Sequence, residues 1–171
     1  MYLIEFLWYN TLNNMNYLGG VFLSIRIIAD STCYLPKEYI DKYNISIVSL
    51  NVLLNGKSYR EIDLENDWFY KEMAKSSTIP TSSQPSITDF YNVIETQVKK
   101  GHDIVGIFLS SDMSGTFSTS NLVKEMILEK YPNANIVMID SRSNCMQSGY
   151  AILEAAKAAS ENKSLNEVVS I

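Results

Sequence analysis

Three short polar stretches carry the residues best able to do chemistry: Asp30-Ser31-Thr32, Ser110 to Thr116, and Asp140-Ser141-Arg142. In the second, Ser114-Gly115-Thr116 joins two hydroxyls to a residue with no side chain, so a ligand could approach the backbone closely. Where a helix begins at such a turn, free N–H groups, the positive end of the helix dipole and both hydroxyls converge on one anion. A fourth stretch, Thr81-Ser82-Ser83-Gln84-Pro85-Ser86, makes a second hydroxyl-rich turn ahead of another helical pattern. Helix capping by Ser114, and a plain N-cap loop before Ser86, are the simpler alternatives, since Ser and Thr favour such positions. Asp30 and Asp140 read in two ways. They could pair for magnesium or act in phosphoryl transfer, or they could cap loops by binding their own backbone neighbours.

Other chemistry finds little support. His102, the one histidine, excludes multi-histidine metal centres and leaves little room for a Ser–His or Cys–His pair. It precedes a strand, at the wrong end of a sheet for catalysis, and is expected on the surface. The chain lacks a Gly-x-Ser-x-Gly elbow, a phosphate-binding Gly-x-x-x-x-Gly-Lys loop and a Gly-x-Gly-x-x-Gly fingerprint. Cys33 and Cys145 are too few and too far apart for a disulfide framework or a four-cysteine zinc site. They are expected as reduced thiols, and Cys145 has no basic partner in sequence to favour its thiolate. With 14 Lys and Arg against 19 Asp and Glu, the net charge of −5 argues against a nucleic-acid partner. No metal and no cofactor are expected.

The elements that must position these turns alternate from Ser24 onward. Ile25–Ala29, Ile104–Leu109 and Ile136–Ile139 are short apolar runs of the kind buried in parallel sheets, and each leads into one of the polar stretches. Ligands of open α/β sheets bind outside such strand ends. Pro36 opens a short helix from its first turn. Asn55-Gly56 predicts a hairpin between Ile45–Leu54 and Lys57–Ile62. Asn66 is placed to cap a helix to about Lys75, whose Trp68, Phe69 and Tyr70 are expected in core and rim packing. Ser76 to Gln84 reads as polar connection. Ser86-Ile87-Thr88-Asp89 resembles a capping box for a helix that Gly101 ends. Further helices are predicted from Ser114 to about Lys130 and over Gln147–Ala159, with another started by Ser164-Leu165-Asn166-Glu167. The fold class expected is α/β, a mainly parallel sheet flanked by helices with a small β-hairpin insertion.

Residues 1–23 are apolar but for Glu5 and a polar interruption from Asn10 to Asn16, which leaves no run long enough to span a membrane and no secretory-signal pattern. They are expected to be an extension outside the fold. The domain would occupy 24–171, and its last helix begins so close to Ile171 that the chain reads as the N-terminal part of a longer protein.

Four motifs in order, Ile-Ile-Ala-Asp-Ser-Thr (27–32), Pro-Thr-Ser-Ser-Gln-Pro-Ser (80–86), Ser-Ser-Asp-Met-Ser-Gly-Thr-Phe (110–117) and Ile-Asp-Ser-Arg (139–142), resemble the N-terminal half of the bacterial DegV family. The resemblance implies a cytoplasmic, non-enzymatic carrier that holds a long-chain fatty acid and presents it to the catalytic subunit of a fatty acid kinase. It implies no stable membrane insertion. Carried over by position, the carboxylate would lie against Ser82, which replaces the usual Thr, Ser83, Ser114, Gly115 and Thr116. The family's C-terminal half, which supplies basic residues and much of the tunnel wall, has no counterpart here. The reading from another class is a small metal-dependent phosphoryl-transfer enzyme or hydrolase built on Asp30 and Asp140.

Overall fold

The computed structural model describes residues 24–171 together with Tyr17–Leu18 and Val21–Phe22. The expectation for residues 1–23 thus falls largely outside the described residues. In chain order the elements begin with β1 (Tyr17–Leu18), β2 (Val21–Phe22), β3 (Ile25–Asp30), α1 (Lys37–Tyr43) and β4 (Ser46–Val48). An insertion follows: β5 (Asn51–Leu54), β6 (Lys57–Arg60), α2 (Asn66–Lys75) and β7 (Thr81–Ser83). The chain continues through α3 (Ile87–Val98), β8 (Asp103–Phe108), α4 (Thr116–Lys130), β9 (Ile136–Asp140), α5 (Cys145–Ser160) and α6 (Leu165–Val169).

The main sheet has the order β4-β3-β8-β9, with every neighbouring pair parallel. Its strands are apolar on both faces because both faces are covered. Alternation sends Ile27, Ala29, Val105 and Ile107 to one face, against Leu35 and the Ile152, Leu153, Ala155 and Ala156 ridge of α5. Ile28, Ile104 and Phe108 go to the other, against Phe90 and Ile94 of α3 and Val123 and Ile127 of α4. There the Phe90 and Phe108 rings meet edge to face, 5.2 Å between centroids, which contributes about 0.5–1.5 kcal/mol beyond area burial.

The insertion forms a second sheet, β6-β5-β7, antiparallel throughout. Its hairpin turns at Asn55 (φ 52°) and Gly56 (φ 75°), the paired left-handed residues of a type I′ turn. β7 differs from the sequence expectation of a polar connection. Thr81–Ser83 carries no alternating apolar pattern and becomes a strand because the free edge of β5 pairs with it. Helix starts shift slightly as well. Pro36 caps α1 rather than lying in its first turn, and Glu65, not Asn66, is the cap position of α2. None of α2 is buried. Trp68 sits edge-on to Tyr59 at 5.3 Å, and Trp68 and Tyr70 stay exposed, so these aromatics form rim rather than core.

Candidate functional site

The strand order reverses between β3 and β8, since the chain builds outward from β3 to β4 and then returns to the other side of β3. The helices leaving these two strands also part. α1 packs on the face of Leu35 and α5, whereas α4 packs on the face of Phe90. The carboxyl ends of β3 and β8 are therefore the switch point of the sheet, the place where open α/β sheets bind ligands. Asp30 ends β3, and the Ser110–Thr116 loop follows β8.

Asp30 ties the two strand ends together. It is 2% exposed; Oδ2 accepts the Leu109 N–H at 2.7 Å, and Oδ1 accepts the Thr32 N–H at 2.9 Å and the Thr32 hydroxyl. Burial raises its carboxyl above the usual carboxylate value, against the hydrogen bonds from Thr32 and Leu109 that favour the charge. Asp140 plays the matching part at the end of β9. It accepts the Ser111 N–H (3.1 Å), the Ser111 hydroxyl (2.6 Å) and the Arg142 N–H (3.0 Å). Partial burial pushes its pKa up, but those three bonds and the Arg142 charge outweigh it and leave the group below its ordinary value.

The two aspartates sit on strands separated by β8, about 10 Å apart at sheet spacing, with their oxygens committed to loop donors. Of their two sequence readings, the geometry matches loop capping. Among the described residues no three His, Cys, Asp or Glu side chains cluster to hold a metal ion.

The Ser114-Gly115-Thr116 turn starts α4, with Gly115 at the cap position. Ser114, one residue earlier, bonds a first-turn N–H through its hydroxyl, as the capping alternative expects. The Ser114 and Thr116 hydroxyls share a hydrogen bond of 2.8 Å, and Ser114 Oγ also accepts the Thr116 N–H at 3.2 Å. Thr116 is fully buried. The first turn of α4 contains no acidic residue, so the positive end of its dipole is left unneutralised.

The second hydroxyl turn is different. Ser86 caps α3 by accepting the Asp89 N–H (3.0 Å) and donates its hydroxyl to the Asp89 carboxylate (2.7 Å). That helix start is already occupied by its own acid. Both turns precede helices, as the sequence leads one to expect, but α3 carries an acid in its first turn and α4 does not.

Register separates Ser82 from Ser83. Ser82 pairs with Val52 and Ser83 with Asn51, so the two side chains project from opposite faces of the second sheet. The Ser82 face is that of Val52, which lines a half-open cavity of about 420 Å³ walled by Leu35, Ile47, Leu64 and Phe69 and edged by Glu61. Glu61 ties the insertion to the main sheet, accepting the hydroxyls of Ser31 and Tyr34 (2.8 Å). That bond to Glu61, followed by burial, pushes the Tyr34 phenol up to about 12.

Gln84, a member of the second hydroxyl-rich turn, and Thr119, which no motif singled out, join the two turns. Gln84 Nε2 donates to Thr119 Oγ1 at 2.7 Å, across from the insertion to the first turns of α4. No hydrogen bond among the described residues joins Ser82 or Ser83 directly to Ser114 or Thr116. His102, expected on the surface, is half-buried at the opposite end of the sheet, with Nδ1 2.7 Å from Ser24 Oγ and Nε2 3.4 Å from Arg26. Burial and then the Arg26 charge lower its pKa, which keeps it neutral near pH 7.

A parallel sheet covered by helices on both faces, with polar turns at the carboxyl ends of its strands, defines a doubly wound α/β domain. The chain belongs to the DegV family, whose sequence model, described as that of an uncharacterised protein family, matches residues 24–171. A DegV domain-containing protein of Clostridium perfringens is 50% identical over 149 residues, covering 87% of this chain and 53% of that protein. Among solved structures, a stearic acid-binding protein of Eubacterium ventriosum superposes with a TM-score of 0.77 at 31% identity, over 84% of this chain and 50% of that one. The DegV fatty acid-binding protein of Bacillus subtilis gives the same TM-score and identity, over 86% and 52%. The chain thus spans about half the length of the relatives it matches. Among the described residues no helix is long and apolar enough to cross a membrane.

Proposed function

We propose that this chain is the N-terminal part of a fatty-acid carrier in the cytoplasm, and that the turns beyond the carboxyl ends of its strands hold the carboxylate of a long-chain fatty acid. The observation that carries the reading is the start of α4: a helix of fifteen residues with no acid in its first turn, entered through the hydroxyl pair of half-buried Ser114 and buried Thr116. A carboxylate there gains N–H donors, the helix dipole and hydroxyls in one place. Solved members of the family named as fatty acid-binding proteins support the ligand class. Ser114, Gly115 and Thr116 supply one wall, and Ser83 supplies a hydroxyl from β7, whose other face carries Ser82 toward the side of Val52. The domain has no chemistry of its own in this reading. A partner kinase subunit phosphorylates the presented carboxylate, and the domain needs no cofactor or metal for its part.

The test is affinity for oleic acid against oleyl alcohol, which keeps the tail and removes the charge. A hydroxyl bonded to a charged oxygen contributes about 1.5–3 kcal/mol, so Ser83→Ala and Ser114→Ala should each weaken acid binding by about ten- to a hundredfold. Alcohol binding should change little. If both variants stay folded and bind the acid as the parent does, the carboxylate lies elsewhere. Native mass spectrometry of the protein purified from bacteria should also show a co-purifying mass of fatty-acid size.

A further inference from the structure

Gly115 has an ordinary backbone conformation, φ −71° and ψ 1°, which any residue adopts, so the glycine answers a need for space. A Cβ built there would fall inside the contact distance of Gln84 Oε1 and 3.2 Å from Gln84 Cδ. The space beside Gly115, which the sequence reading gave to an approaching ligand, is filled by the Gln84 amide. The other end of that amide donates to Thr119 Oγ1 at 2.7 Å, and Thr119 is buried. Pro85, the next residue, is fully buried as well. One exposed side chain thus lies against the cap residue of α4 and is bonded to its second turn, while its backbone continues directly from Ser82 and Ser83 of β7.

We infer that Gln84 is a positioning residue of the carboxylate site. It latches β7 to the start of α4, and Gly115 is glycine in order to seat it. The inference rests on the carboxylate reading above, and two consequences separate it from a merely stabilising contact. Because the obstructing atom is the end of a flexible side chain, alanine at 115 is accommodated by expelling the amide and breaking its bond to Thr119. Gly115→Ala and Gln84→Ala therefore remove the same latch. Each should also change how the hydroxyls of β7 lie relative to α4, and so should affect recognition of the charged head more than of the tail.

The experiment uses the full 171-residue chain. Displacement of cis-parinaric acid by oleic acid and by oleyl alcohol is measured for the parent, Gln84→Ala, Gly115→Ala, the double variant and Thr119→Val. Thr119→Val removes the hydroxyl partner from the opposite side, should Gly115→Ala fail to fold. The parent should prefer the acid. Each single variant should lose about five- to tenfold of that preference, the size of one hydrogen bond. The double variant should lose no more than either single one, because nothing is left to break. Losses that multiply in the double variant, or an acid preference that survives in folded Gln84→Ala and Thr119→Val, overturn the inference while leaving the carboxylate reading intact. A parent that binds acid and alcohol equally overturns the carboxylate reading itself, and the inference with it.

Discussion

At the scale of single residues, what decides each role is whether its polar atoms already have partners. Asp30 and Asp140 stand where strand-end aspartates of metal or phosphoryl chemistry would stand, yet their oxygens are taken by Thr32, Leu109, Ser111 and Arg142. Sequence shows where a residue stands; it does not show which donors fold back onto it, so both readings of the pair were legible and the choice between them was not. Gly115 is a parallel case, because only Gln84, 31 positions earlier in the chain, explains it. Asp30→Asn should cost about 1–3 kcal/mol, since its amide would turn a donor toward the buried Leu109 N–H or lose the bonds from Thr32. Urea midpoints measure this, and a variant as stable as the parent would contradict the capping role.

The two thiols give a second residue-scale expectation. Burial pushes Cys33 up to about 11, whereas Cys145 is exposed. Ellman's reagent at pH 7.5 should therefore titrate one thiol in the native protein and two in denaturant, with the native reaction lost in Cys145→Ser. Rapid reaction of both thiols in the folded chain would show that the face around Leu35 opens.

At the scale of elements, the parallel strands were legible because their apolar runs are short, continuous and followed by polar turns. The helix capped by Ser164 was legible from four residues, and the capping box with Glu167 forms as read, with Val168 buried beneath it. β7 was not legible, since a Thr-Ser-Ser strand has no alternation and exists through the β5 edge. α2 was legible in part. Three adjacent aromatics fit core and rim packing alike in sequence, and the insertion holds them at a rim, with Trp68 and Tyr70 exposed and Phe69 half-buried.

The α3–α4 pair offers a test of how elements are held together. Half-buried Glu95 of α3 accepts from Lys130 and Lys99, each at 2.8 Å, and from the Tyr131 hydroxyl at 3.0 Å. The Lys130 bond first, then that of Lys99, hold its carboxyl down at about 2, against an ordinary 4.5. Between these values the unfolded chain binds the extra proton, so stability rises with pH there. The contribution is present above about pH 4.5 and is lost as the pH falls toward 2. Glu95→Gln should flatten the drop in urea midpoint between pH 6 and pH 3, and 1 M NaCl should shrink the parent's drop by screening the exposed lysines. An unchanged drop in the variant would place the acid sensitivity elsewhere.

At the scale of the whole molecule, the two faces of the main sheet are filled from within residues 24–171: α1, α5 and α6 cover one face, α3 and α4 the other. That closure bears on the segment ahead of β3. Tyr17–Leu18 and Val21–Phe22 pair antiparallel with each other and join neither of the larger sheets. No strand position beside β3 is free for them, since β4 and β8 flank it on both sides. The family match likewise begins at residue 24. We therefore expect the core to lose nothing when residues 1–23 are removed. A chain starting at Ser24 should melt within a few degrees of the parent in a calorimetric or circular-dichroism scan. For a domain of this size about 4 °C corresponds to 1 kcal/mol, so a fall beyond about 8 °C would mean that the segment contributes on the order of 2 kcal/mol of packing. The same deletion separates folding from binding. If the melting temperature holds but oleic acid affinity falls, those apolar residues belong to the ligand's surroundings, and the boundary drawn at residue 24 is a boundary of the fold alone.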